Sequence, residues 1–130
     1  MNRQSEEIIL VHGLWFGAAF MAPMARRLQR QTGLPVRRIN YRSTRGELGE
    51  HAGRLYDFAQ QSDATTKHLV GHSLGGLVIL KMLSRHRDFT GGRVVFLGSP
   101  IHGSTVARKV RKIPGASALL GKIQHDLEKG

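Results

Sequence analysis

The sequence predicts an α/β domain built on a parallel, doubly wound sheet of about four strands in the spatial order 2-1-3-4. Three observations carry that prediction. Short apolar runs alternate with longer amphipathic segments, and no internal repeat interrupts the alternation. The first run, Ile8-Ile9-Leu10-Val11, is apolar at every position, as a strand covered on both faces must be. The third passes straight into an apolar helix through the glycine-rich turn Gly71-His72-Ser73-Leu74-Gly75-Gly76. With 130 residues, of which 40% are hydrophobic, the chain is long enough to bury one core and short enough to be one domain.

Taken in order, Ile8 to Val11 is the first strand, ending in His12-Gly13. The segment Ala18 to Gln31 sets Phe20, Met21, Met24 and Leu28 against Arg26, Arg27 and Arg30, an amphipathic helix with Pro23 in its first turn. Gly33 and Pro35 close it, and Val36 to Tyr41 reads as a second strand with Ile39 and Tyr41 inward. The polar loop Arg42 to Gly49 leads to a helix over Glu50 to Gln61, whose apolar face is Leu55, Phe58 and Ala59. His68 to Gly71 is the third strand, Ser73 to Arg87 the third helix and Arg93 to Leu97 the fourth strand. Right-handed crossovers place the first and third strands side by side, so the loops at their carboxyl ends converge on one crevice. Beyond a loop from Gly98 to Thr105, residues 106–130 form a basic tail with a short helix from Ser117 to Leu127. Leu119, Leu120, Ile123 and Leu127 recur there at helical spacing.

The formal charge is +11, from 20 Lys and Arg against 9 Asp and Glu, which raises a nucleic-acid partner. The basic residues are spread from Arg3 to Lys129, however. The one dense group, Arg108-Lys109-Val110-Arg111-Lys112, has no aromatic residue interleaved for base stacking, so no specific nucleic-acid role is expected. The absence of cysteine excludes a disulfide framework and thiolate metal sites. No two histidines share a helix face with a carboxylate at ligand spacing, so no metal and no other cofactor is expected. The first seven residues lack the basic-then-apolar order of a signal peptide, and no run approaches the roughly 18 apolar residues of a membrane span. A cytoplasmic location is the expectation.

Gly71-x-Ser73-x-Gly75, between an apolar strand and an apolar helix, has the pattern of a nucleophile elbow. Glycines two places either side of the serine remove side chains where strand and helix cross, and hold Ser73 at the tip of a strained turn. With the strand ending in His12-Gly13-Leu14, and the strand ending in Gly98-Ser99-Pro100 before His102-Gly103-Ser104, this pattern resembles the α/β-hydrolase superfamily. The resemblance is to the N-terminal half of a bacterial lipase or esterase and covers roughly residues 8 to 105. It implies a truncated α/β-hydrolase fold, with residues 1–105 as the N-terminal half of the domain. It also implies a carboxylic ester hydrolase acting on a small-molecule or lipid ester, with Ser73 as the acylated nucleophile. The backbone amides of Leu14 and Leu74 would form the oxyanion hole. Trp15, Phe16 and Phe20 would line an acyl pocket, although ordinary helix packing explains the same aromatics.

The family's triad runs Ser, then Asp or Glu, then His in chain order. Downstream of Ser73, Asp88 falls at the far end of the elbow helix, and Asp126 and Glu128 follow every histidine. His102 is the remaining internal candidate for the base; His72 is expected to point away from the nucleophile, and His12 to brace the oxyanion loop. The hydrolase is therefore expected to be incomplete as written. The alternative is a non-catalytic half-domain, completed by another chain or self-associating through the exposed edge of its fourth strand. A nucleotide-binding module fails on detail, because neither glycine-rich turn spells G-x-G-x-x-G or G-x-x-x-x-G-K-[ST].

Overall fold

A computed structural model describes residues 5–14, 16–89 and 91–98. Strand β1 (Glu6–Val11) leads through a 3-10 turn (Ala18–Met21) into helix α1 (Ala22–Thr32) and strand β2 (Val36–Ile39). Helix α2 (Leu48–Gln60), strand β3 (Thr66–His72), helix α3 (Leu74–Arg85) and strand β4 (Gly91–Leu97) follow. The sheet is parallel throughout and ordered β2-β1-β3-β4, as the alternation of elements predicts. Residues 99–130, and with them the basic tail and its expected helix, lie outside the described residues.

The two-residue period of β1 divides the core. Ile9 and Val11 join Ile39, Leu69 and the inward faces of α2 and α3 on one side of the sheet. Ile8 and Leu10 meet Met21, Ala25 and Val70 under α1 on the other. Both β1 faces are therefore covered, which accounts for its unbroken apolar run. The expected helix from Ala18 divides because Pro23, in the first turn of α1, cannot donate a hydrogen bond back into a preceding α-turn. The lead-in is a 3-10 turn instead. At its other end α1 stops at Gly33, whose φ of 70° suits glycine alone, with its N–H donating to Gln29 O. Strand β2 ends two residues before Tyr41, although Ile39 and Tyr41 are both buried as expected.

Parallel register aligns the strand ends. Val11 pairs with Ile39 and with Gly71, and Gly71 pairs with Phe96, so the loops leaving β1, β2, β3 and β4 emerge along one edge. The opposite edge is held by charge. The buried carboxylate of Glu7 receives Arg37 Nε at 2.9 Å and Nη2 at 2.8 Å, and Ser62 Oγ at 2.6 Å. Lys67 Nζ lies 3.4 Å away and also donates to the Ser62 and Ala64 carbonyls. Arg37 further donates to Phe58 O and stacks over the Phe58 ring, tying β1, β2 and the end of α2 together. Burial pushes the Glu7 carboxyl up, but the hydrogen bonds from Arg37 and Ser62 and the two cationic charges outweigh it, and the net shift is downward.

Removing one partner from a buried ion pair leaves the other uncompensated, so Glu7→Gln is expected to cost about 3 kcal/mol in denaturant unfolding. Because the folded carboxyl titrates below its ordinary 4.5, this stability is full above that pH and is lost as pH falls through the folded value. The variant should lose that part of the acid limb; an unchanged acid limb would show that the cluster contributes nothing.

Candidate active site

Ser73 sits between the last residue of β3 and the first of α3 with φ 53° and ψ −120°, the one non-glycine residue at positive φ among those described. It caps the helix rather than beginning it. Its N–H donates to Leu97 O at 2.9 Å, extending the β3–β4 ladder by one step, and its carbonyl accepts from Gly76 N at 3.1 Å. The flanking glycines are required by backbone contact. A Cβ on Gly71 would lie 2.6 Å from Gly76 Cα, and one on Gly75 would overlap the Val11 and His12 carbonyls at the end of β1. Gly13 meets the elbow from the other side, where a Cβ would lie 2.9 Å from both His72 O and Ser73 Cβ. The two sequence-distant loops thus converge, with Leu14 buried beneath.

The loop after β1 is fixed by a lock that the sequence did not reveal. Tyr41 N–H donates to His12 Nε2 at 3.2 Å, so Nε2 accepts, and the ring proton sits on Nδ1, 2.9 Å from Gly13 O. The Tyr41 hydroxyl donates to His12 O at 2.7 Å, and the rings stack at 4.2 Å. The ladder of β2 ends early because Tyr41 N–H turns to this imidazole. His12 has both nitrogens committed and braces the loop, as expected. Behind it, buried His51 packs 4.8 Å from Tyr41, with Nε2 lacking a hydrogen-bond partner among the described residues. Burial, the largest influence on each, lowers the proton affinity of both histidines.

Phe16 and Phe20 are 44% and 49% exposed, so ordinary core packing does not account for them. They stack on each other at 4.1 Å and meet the ring of His72 edge-on and tilted, at 5.9 and 5.4 Å. His72 Nδ1 is buried without a hydrogen-bond partner among the described residues. Trp15 and His102 both lie outside the described residues. Asp88 follows the far end of α3 and accepts from the Tyr56 hydroxyl at 3.3 Å. A helix of 12 residues is about 18 Å long, so this carboxylate is remote from Ser73. Among the described residues no group of three His, Asp or Glu side chains could hold a metal, and no helix is long and apolar enough to cross a membrane.

Two measurements follow from this geometry. Glycine accepts φ 53° without strain and alanine does not, so Ser73→Gly should be more stable than Ser73→Ala by about 1 kcal/mol in paired unfolding curves. Equal stabilities would mean that the turn stores no strain. For pH, the folded state holds His12 and His51 neutral below the ordinary 6.5, while the unfolded chain takes up protons there. Stability should be full above that value and decline from about pH 6.5 toward pH 5. A flat profile over that range would refute the buried neutral pair.

Several solved structures share this architecture. An extracellular α/β-hydrolase from a Paenibacillus species is 26% identical at a TM-score of 0.64, over 87% of this chain and 52% of that one. Its description adds structural and functional homology to tobacco salicylic acid binding protein 2. A structure from a study of carboxylesterases of Nitrososphaera gargenis gives a TM-score of 0.64 at 15% identity, over 91% and 49% of the two chains. The type II thioesterase BorB from the borrelidin biosynthetic cluster gives 0.62 at 17%, over 97% and 62%. At those two identities the likeness is one of fold. The chain spans about half the length of the first two of these structures. A search of curated proteins returned no match. The family model described as Alpha/beta hydrolase family matches residues 8–127, nearly the whole chain, and the chain belongs to that family.

Proposed function

We propose that this chain carries the nucleophile-bearing half of a serine hydrolase acting on carboxylic esters of small molecules or lipids. The observation that supports the reading best is Ser73 at positive φ, with Gly13 packed against it at the carboxyl ends of the two central strands. Retaining a strained non-glycine residue there is explained by a task for its hydroxyl. Ser73 Oγ would add to the ester carbonyl carbon while the carbonyl π pair moves onto oxygen. The backbone N–H groups of Leu14 and Leu74 would receive that charge; Leu74 lies in the first turn of α3, where amides lack partners within the helix. Collapse of the tetrahedral species would expel the alcohol, which takes up the proton lost by Ser73, and water would then release the acid from the acyl-serine.

Exposed Phe16 and Phe20, with Trp15 before them, fit an acyl-binding wall beside the elbow. For the base, His12 is committed on both nitrogens, and His102 remains the candidate on this chain. We assign the triad acid to sequence beyond these residues, since Asp88 is remote and bonded to Tyr56. A second reading, a non-catalytic half-domain completed by another chain or a second copy, draws on β4. Val95 there is 46% exposed, and an apolar cleft of about 330 Å³ opens between α1 and β4.

Intact-mass labelling of the full chain with a fluorophosphonate, beside Ser73→Ala, separates the two. The expected result is one adduct on Ser73, forming slowly, because without the triad acid to orient a base, oxyanion stabilisation and binding leave roughly 10³ to 10⁴ over water. Fast labelling would place the base within the chain and make His102 the next substitution. No adduct on a folded sample, or one that survives Ser73→Ala, would overturn the hydrolase reading in favour of the half-domain.

A further inference from the structure

The loop between β2 and α2, which the sequence marks only as a polar connection, forms an open cleft of about 480 Å³. Its lining is Phe16, Tyr41, Arg42, Ser43, Thr44 and Arg45. Two of these residues tie it to the elbow. Phe16 packs edge-on against His72, the residue before Ser73, and Tyr41 holds the carbonyl of His12, the residue before Gly13. The cleft therefore opens at the carboxyl edge of the sheet, the edge on which Ser73 lies.

Its chemistry is unlike that of an acyl wall. Arg42 and Arg45 are exposed and, among the described residues, neither guanidinium is in a salt bridge or a side-chain hydrogen bond. The chain does pair arginine where a partner serves the fold, since Arg37 is bidentate to Glu7. The loop's own carboxylate, Glu47, stands at the N-cap of α2 without a side-chain capping bond, and Glu50 Oε2 lies against Gly46; neither forms a salt bridge with Arg42 or Arg45 among the described residues. Two unpaired guanidiniums, with the Thr44 hydroxyl between them in sequence, give a donor-rich surface with the fork geometry that matches planar or tetrahedral oxyanions.

We propose that this cleft binds an anionic group, a carboxylate or a phosphate, carried by the ester whose carbonyl is placed at Ser73. The inference rests on the ester-hydrolase reading and narrows its substrates to esters with a charged terminus. Phe16 is shared by the two regions, since it lines the cleft and also meets the His72 ring edge-on. The acyl carbon would lie toward the aromatics and the anion toward Arg42 and Arg45. A neutral ester leaves both guanidiniums solvated and gains nothing from them.

Binding tests this without requiring turnover. The full chain carrying Ser73→Ala is titrated by NMR with monomethyl succinate, with 2-acetoxyethyl phosphate and with the neutral dimethyl succinate. At least one anionic ester should bind about tenfold more tightly than the neutral one, the effect of one charge-assisted hydrogen bond. That advantage should shrink as salt is raised and vanish in Arg42→Gln/Arg45→Gln, with amide shifts centred on residues 41–45. Preference for the first ligand identifies a carboxylate as the bound group, and preference for the second a phosphate. Equal binding of all three, or an advantage that persists in the double variant, would overturn the proposal. Fluorophosphonate labelling of Ser73 in the unmodified chain reads the hydrolase assignment separately, so the failure of one is distinguishable from the failure of the other.

Discussion

The structure depends on the close approach of α3 to the carboxyl end of β1. Gly75 sits where any Cβ would overlap the Val11 and His12 carbonyls, and Gly71 where one would meet the backbone of Gly76. Without that approach the first turn of the helix could not lie over the central strands. It is the same contact that lifts Ser73 to positive φ and leaves it facing the crevice between two loops. Packing and site are therefore one constraint, in which the helix can cross so near only because the turn is strained.

That constraint spreads outward through hydrogen bonds. The His12 carbonyl that Gly75 abuts is also held by Tyr41, whose N–H fixes the tautomer of the His12 ring. The turn after β1 is thereby set by β2 as well as by β3, and Leu14 is buried rather than free to wander. An imidazole that accepts on one nitrogen and donates on the other behaves here as a rigid spacer. Preorganised amides are worth more to a developing oxyanion than amides that must be ordered during the reaction.

The strands and helices were legible because each depends on local pattern, unbroken apolar residues at β1, helical spacing in α1 and α2, glycines around Ser73, and the sheet order followed from the handedness of their crossovers. Membership of the α/β-hydrolase family was legible for the same reason, since the order of motifs is itself a local record. Boundaries slipped where a partner far along the chain decides them. β2 stops at Ile39 because the Tyr41 amide prefers His12, and β1 begins at Glu6 because Arg37, Ser62 and Lys67 make a buried carboxylate at Glu7 tolerable. A glutamate before an apolar run reads as solvent-facing until three residues from elsewhere are placed around it. The aromatics were ambiguous because pocket walls and core walls share one composition, and only the exposure of Phe16 and Phe20 separates them. The two arginines at Arg42 and Arg45 looked like loop polarity because nothing in their own stretch shows which crevice the loop borders.

The charge cluster and the elbow occupy opposite ends of the same strands. Glu7 is the second of the six residues of β1, so the strand runs about 13 Å beyond it to Val11 at the rise of an extended chain. The charge cluster and the candidate site therefore draw on different residues, and a change at one end is felt at the other only through a stiff sheet. A scaffold divided in this way tolerates replacement of its upper loops while its base keeps the strands in register. The segment from Asn40 to Glu47 could be exchanged for one of different length or charge, altering what the crevice admits, as long as Tyr41 keeps its hold on the turn after β1.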